Sequence, residues 1–131
     1  MNSTRSLRSS PAFERFVLDQ LAELGPVTSR KMFGGVGVYC GNAFFAIIAR
    51  DELYLKVDAE TRGDYEGAGM HAFRPFVDRP PSKTYYCVPL GVLESGPELV
   101  EWARKAVAVA AGGGGTRTAS RGRSRSGPGQ Q

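Results

Sequence analysis

Few side chains in this chain belong to the kinds that most often act in catalysis or bind a metal. The chain has one histidine, His71, and two cysteines, Cys40 and Cys87. A nucleophile needs a base beside it, and ordinary zinc sites use closely spaced ligand pairs; the sequence around these three residues has neither pattern. The Asp51-Glu52 pair has the composition of a turn more than of a carboxylate dyad. The sequence therefore predicts no catalytic residue, no metal site and no cofactor.

The cysteines and the apolar runs also bear on the location of the protein. Both cysteines fall in or at the ends of predicted strands, where a thiol is usually a small buried hydrophobic group, and two widely spaced cysteines make no disulfide framework. Arg5 and Arg8 precede no apolar stretch that would complete a secretory signal. No apolar run approaches the roughly 20 residues of a membrane span. These features predict a cytoplasmic protein.

The most distinctive stretch is Arg30-Lys31-Met32-Phe33-Gly34-Gly35. In one interpretation it is a binding surface, in which Arg30 and Lys31 present charge beside Met32 and Phe33 to a protein partner. In the other, Met32 and Phe33 pack under a sheet and the glycines permit a tight turn or a bulge. The second is favoured because a small fold must bury most of its large apolar side chains. A phosphate-binding loop is disfavoured because these glycines precede a predicted strand and not a helix.

The C-terminal segment is a low-complexity sequence of Gly, Ser and Arg. Its arginines could contact the phosphates of nucleic acid, as disordered arginine-rich segments do. It has no aromatic residue on which bases could stack, so such binding would be weak and sensitive to salt. The favoured alternative is a solvated end without a partner. The arginines concerned are Arg117, Arg121, Arg123 and Arg125.

The net charge of +4 comes from the two ends of the chain. Residues 12–111 contain eleven basic and thirteen acidic side chains, a net charge of −2. A nucleic-acid-binding domain usually carries its basic patch on the fold itself. The charge distribution therefore argues against DNA binding by the folded part.

The spacing of apolar residues, which changes along the chain between the periods of helices and strands, predicts an α+β domain. Helices show apolar residues at helical spacing between capping residues, and strands show alternating or continuous apolar runs between turn residues. Residues 1–10 and 112–131 are predicted to be disordered, with one domain at 11–111 between them. The predicted elements are a helix at 11–24, strands at 36–40, 43–49 and 53–57, a helix at 59–67, strands at 73–77 and 84–88, and a final helix that opens at Gly96-Pro97. Runs of antiparallel strands punctuated by helices indicate a two-layer sandwich with a five-stranded antiparallel sheet.

Five stretches, in order, resemble the N-terminal domain of the TfoX/Sxy family. Each is weak alone, but their order and spacing are specific, and together they cover about residues 12–111. The stretches are Ser29–Tyr39, Phe45–Ile48, Leu53–Asp58, Tyr85–Pro89 and Leu99–Ala103.

The resemblance implies a secretion-chaperone-like fold without catalytic residues. Full-length members of the family regulate natural competence in bacteria, as coactivators with the cyclic-AMP receptor protein. They carry a second, helical domain where this chain has its Arg/Gly/Ser segment. The resemblance thus predicts a non-catalytic regulatory or protein-binding module, with the transcription machinery as the expected kind of partner. The alternative function is association with nucleic acid through the basic C-terminal segment.

Overall fold

The computed structural model describes residues 7–75 and 79–112, which fold into one sheet with helices. Within these residues the first helix begins where predicted, because the Ser10 hydroxyl accepts the backbone N–H of Phe13 at 3.1 Å and Pro11 takes the first helical position. The elements in chain order are α1 (Pro11–Gln20), a 3-10 helix (Ala22–Leu24), β1 (Val27–Met32), β2 (Gly35–Cys40), β3 (Ala43–Ala49), β4 (Glu52–Lys56), α2 (Arg62–Gly67), β5 (Tyr85–Cys87), α3 (Leu90–Leu93) and α4 (Gly96–Gly112).

The five strands form an antiparallel sheet in the order β1-β2-β3-β4-β5. Two-residue turns join the first four strands: Phe33-Gly34, Gly41-Asn42 and Arg50-Asp51. In the first turn Phe33 and Gly34 both have positive φ, 51° and 87°. This conformation is typical of the tight turns whose twist matches that of the flanking strands. The α+β class and the five-stranded antiparallel sheet are confirmed.

The inner face of the sheet carries the main core. Helix α4 lies across β3 and β4, and α1 packs beside it. Trp102 of α4, which the apolar stripe predicts to be buried, is only half-buried and stands edge-on to Tyr65, with 4.8 Å between ring centroids. The largest fully buried side chains are Phe45, Leu21, Ile48, Leu53, Leu55, Leu99, Val17, Val38 and Val57.

The outer face of the sheet is covered by a short N-terminal segment and the loop before β5. Leu7 from the segment and Phe73 from the loop are both buried against the sheet. Leu7 is also held by its carbonyl, which accepts the backbone N–H of Arg50 at 3.2 Å. The buried apolar side chains of this second cluster are Leu7, Ile47, Ala49, Tyr54, Phe73, Tyr85 and Cys87.

Two features of the sheet differ from the sequence prediction. Strand β1 was not predicted, because only Val27 and Met32 among its six residues are large and apolar. The strand predicted at 73–77 is absent over residues 73–75, where Pro75 has no N–H to donate. Pairing there is limited to an isolated antiparallel bridge between Ala72 and Tyr86. Phe76 and Val77 lie outside the described residues.

Residues 7–10 belong to the stretch 1–10 that the sequence predicts to be disordered, and residues 9 and 10 bond to the turn between β3 and β4. The Asp51 backbone N–H donates to the Ser9 hydroxyl, and the Ser10 backbone N–H donates to Asp51 Oδ1, both at 2.8 Å. These bonds join the segment to the turn between β3 and β4. Residues 1–6 and 113–131, with the rest of the predicted disorder, lie outside the described residues. No helix in the described ranges is long and apolar enough to span a membrane.

Candidate protein-binding surface

The turn between β1 and β2 projects a large apolar side chain into solvent. Phe33 is 86% exposed. A bulky residue with positive φ is a conformational outlier, which a tight turn normally avoids by using Asn, Asp or Gly. Gly34, the other turn residue, meets this requirement. The sequence therefore places at this turn a residue that serves neither the backbone geometry nor the core.

An apolar groove of about 340 Å³ begins at Phe33 and runs over the outer face of the sheet. Its lining comes from separate parts of the fold: the β1–β2 hairpin, strand β3, Leu7 of the N-terminal segment and the loop before β5. The residues that line it are Leu7, Met32, Phe33, Gly35, Phe44, Ile47, Phe73 and Pro75.

The floor of the groove depends on a glycine in β2. A Cβ atom at Gly37 would lie 3.0 Å from the Phe44 ring and 3.1 Å from the sulfur of Met32. That separation is tighter than ordinary packing, so a side chain at Gly37 would require Phe44 or Met32 to shift by a few tenths of an ångström. Met32 is half-buried as a result, because its side chain lies over Gly37.

A row of aromatic rings extends the floor away from Phe33. Tyr39 stacks on Phe44 with 5.0 Å between ring centroids, and Phe44 lies 5.7 Å from Tyr85. Arg30 extends the row at its β1 end, with its guanidinium 5.4 Å from the centre of the Tyr39 ring. Burial raises the pKa of Tyr85 to about 12.

A second, more polar hollow of about 550 Å³ lies on the other side of Phe33. Met32, Phe33 and Gly35 line both hollows, so the Phe33 side chain stands between them. Exposed Lys31 lies here with the half-buried Glu14 of α1. The remaining lining residues are Arg8, Ser9, Pro11, Gly34 and Val36.

The structure separates the four residues singled out in the sequence. Met32 and Phe33 line the groove, Lys31 lines the polar hollow, and Arg30 lies against Tyr39. The favoured structural interpretation is wrong for Phe33, which does not pack under the sheet, and fits only Met32 in part. The predicted arginines of the tail, at 117, 121, 123 and 125, lie outside the described residues.

A second group of polar side chains lies at the β4–β5 end of the same face. His71 Nε2 is 3.4 Å from Glu52 Oε1, and the Tyr54 hydroxyl donates to the same oxygen at 2.6 Å. The Cys87 sulfur completes a set of three ligand-type atoms that lie within 4.8 Å of one another. Burial raises the pKa of Cys87 to about 12, so its thiol is protonated and a poor nucleophile at neutral pH.

Part of this surface could be read from the sequence and part could not. Ala43–Ala49 is apolar at every position, which indicates a strand covered on both faces, and β3 is covered in this way. The sequence does not assign Phe44 and Ile47 to one face, because they are three residues apart and share the outer face only through the irregular register between β2 and β3. No sequence spacing brings Glu52, His71 and Cys87 together, because the pairing of β4 with β5 produces that group.

A family model described as the TfoX N-terminal domain matches residues 19–110. The matched segment contains all five strands of the described structure and the hairpin that carries Phe33, whereas Leu7 precedes it. No curated protein matches the chain significantly.

Proposed function

The chain belongs to the TfoX N-terminal domain family, and from that premise we propose that it is a non-catalytic module that regulates transcription by binding a protein through the groove beside Phe33. The family is a regulatory one, associated with competence and not known to be catalytic. The observation that carries the proposal is the 86% exposure of Phe33 at the mouth of an apolar groove. Exposed aromatic side chains beside apolar pockets are the usual anchors of protein interfaces.

The conformation of Phe33 supports a role in binding. Its positive φ costs free energy, on the order of 1–3 kcal/mol for residues held in such conformations, and its exposed ring recovers little of that through packing. A turn selected for stability alone would have Asn or Asp at this position. An unfavourable residue at an exposed position is typical of functional sites.

The charges around the groove define the kind of partner. Arg30 is exposed and lies on the outer face of the sheet with Met32, whereas Lys31, also exposed, lines the polar hollow on the other side of Phe33. A complementary segment would insert an apolar side chain into the groove and carry acidic residues beside it. Opposite charges at the rim of an interface increase the association rate and favour one orientation of the partner.

The test uses a Phe33→Asn variant, because asparagine accepts positive φ and removes the aromatic ring. The matched control is Leu90→Asn, which removes another exposed apolar side chain (65% exposed) at the start of α3, away from the groove. The first binding probe is the purified cyclic-AMP receptor protein of the same organism, measured by calorimetry with the full chain. Proteins captured from native lysate are then identified, purified and measured in the same way.

We expect Phe33→Asn to weaken binding at least about tenfold, the effect of losing one central anchor residue. Leu90→Asn should bind like the wild type. Equal binding by the wild type and Phe33→Asn would contradict the proposed surface. An equal loss in both variants would show that exposed apolar side chains act without specificity.

A further inference from the structure

The Glu52, His71 and Cys87 group on the outer face has a role that the proposed protein-binding function does not use. We propose that these three side chains bind one divalent transition-metal ion of the zinc class, with a fourth coordination position open to solvent. The donor set is one carboxylate oxygen, one imidazole nitrogen and one sulfur, all within 4.8 Å of one another. Zinc sites with three protein ligands and one exchangeable position use these donor types.

The distance between the carboxylate oxygen and the imidazole nitrogen already fits a coordinated ion. Zinc bonds to oxygen and nitrogen are about 2.0–2.1 Å long, so two such donors at a tetrahedral angle lie about 3.3–3.4 Å apart. His71 Nε2 and Glu52 Oε1 are 3.4 Å apart. To complete a tetrahedral set, Cys87 Sγ must also come within about 2.3 Å of the ion, which requires a side-chain movement because the three donor atoms are spread over up to 4.8 Å.

The backbone holds the three residues in place before any ion binds. Tyr54 pairs directly with Cys87 across the β4–β5 ladder, and Glu52 precedes Tyr54 by two residues. The side chains of Glu52, Tyr54 and Cys87 therefore lie on one face of the sheet. The His71 carbonyl accepts the backbone N–H of Cys87 at 2.9 Å, which fixes the loop beside β5. Ligands on preordered backbone lose less conformational freedom when a metal binds.

The hydroxyl of Tyr54 orients the carboxylate of Glu52. The Tyr54 hydroxyl donates to Glu52 Oε1 at 2.6 Å, the kind of outer hydrogen bond that directs metal-binding carboxylates. The His71 ring lies 5.9 Å from the Tyr54 ring in an edge-on arrangement, which restricts the imidazole. Cys87 is buried at the base of the group while His71 is exposed, so an ion would sit at the surface with one side facing water.

The donors also select the class of ion. A sulfur and an imidazole disfavour Mg²⁺ and Ca²⁺, which prefer sets made entirely of oxygen. Zn²⁺ and its spectroscopic substitute Co²⁺ accept this mixture. A bound cation replaces the proton of a coordinating thiol, so the protonated state of free Cys87 is compatible with the site.

The test uses the full chain without a histidine tag, stripped of metal by a chelator. Zn²⁺ is titrated by calorimetry, and Co²⁺ by absorption, where a thiolate ligand gives a charge-transfer band in the near ultraviolet. The first variant is His71→Asn, which removes the only histidine of the chain at an exposed position. The second is Cys87→Ser, with Cys40→Ser as its control because Cys40 lies on β2, outside the group.

We expect one equivalent of Zn²⁺ to bind the wild type and Cys40→Ser, and His71→Asn to bind at least about tenfold more weakly. The cobalt charge-transfer band should be present in Cys40→Ser and absent in Cys87→Ser. Binding that does not reach one equivalent, or that His71→Asn leaves unchanged, would overturn the proposal. Because His71 is exposed, that variant decides the question even where Cys87→Ser fails to fold.

Discussion

At the scale of the residue, Phe33 lowers the stability of the fold and, in the proposed function, contributes to binding. It occupies a turn position with a φ of 51°, and its ring is 86% exposed. A side chain that packed in the core would compensate for the unfavourable backbone conformation, but an exposed ring contributes little. The two effects can be separated experimentally because binding and folding are measured independently.

The free energy of unfolding of the Phe33→Asn variant is expected to equal that of the wild type or to exceed it by about 0.5–1 kcal/mol. Asparagine is among the residues that best tolerate positive φ, so the change relieves strain at an exposed position. Urea denaturation at equilibrium measures this difference, with Leu90→Asn expected within about 0.5 kcal/mol of the wild type. A loss above about 1 kcal/mol in Phe33→Asn would mean that the ring packs against the fold.

At the scale of the element, the N-terminal segment functions as a cover for the outer face of the sheet. Leu7 is 8% exposed, and its carbonyl and the Ser9 and Ser10 groups bond to the Arg50-Asp51 turn. The covering is close: a Cβ atom at Gly35 would lie 3.4 Å from the Cβ of Leu7. The segment therefore belongs to the folded domain, although its Ser- and Arg-rich sequence favours disorder.

The Leu7→Ala variant is expected to lose about 2 kcal/mol of stability. This loss is at the low end of the range for replacing a buried leucine by alanine, because a terminal segment can adjust to fill the space. For a domain of about 100 residues this lowers the melting temperature by roughly 10 °C. Thermal unfolding followed by circular dichroism measures the change, with Leu90→Ala as the exposed control. Equal melting temperatures for Leu7→Ala and the wild type would indicate that the segment does not pack on the sheet.

Elements with several agreeing local signals were predictable from the sequence. Helix α1 begins at its Ser10-Pro11 signal, as predicted. The helix predicted at 59–67 begins only at Arg62, because Asp58 accepts the backbone N–H groups of Glu60 and Thr61 in a turn and Thr61 is the N-cap of α2. Strand β1 has no such signal. Its central residues, Thr28–Lys31, are polar and exposed, and its pairing with β2 depends on the tight turn at Phe33-Gly34.

The candidate site was predictable only where it coincides with one continuous stretch of sequence. The segment from Arg30 to Phe33 stands out in the sequence, and the structure places Met32 and Phe33 at the groove. Leu7 and Phe73, which also line the groove, come from distant parts of the chain that meet only when the sheet forms. The exposure of Phe33 was not predictable either, because apolar composition alone favours burial.

At the scale of the whole molecule, the charge is divided between the fold and its ends. Residues 12–111 carry a net charge of −2, while the complete chain carries +4. A basic segment attached to a slightly acidic domain can attract nucleic acid without any basic surface on the fold. This arrangement makes the alternative function, association with nucleic acid through the C-terminal arginines, testable separately from the groove.

We expect the full chain to bind double-stranded DNA weakly and without sequence preference, with an affinity that falls as salt increases. Four arginines that contact phosphates give a slope of about −3 to −4 for the logarithm of the binding constant against the logarithm of salt concentration.

The matched variant replaces all four in the full chain: Arg117→Gln, Arg121→Gln, Arg123→Gln and Arg125→Gln. Glutamine keeps the polarity and length of the segment but removes its charge. The variant should therefore bind little DNA at any ordinary salt concentration. Its binding to a protein partner through the groove should be unchanged. Fluorescence anisotropy over a series of salt concentrations measures the slope for both chains. Sequence-selective binding that survives the four substitutions would assign DNA recognition to the folded domain, and Arg30→Gln with Lys31→Gln would then test the exposed basic pair on β1 as its source.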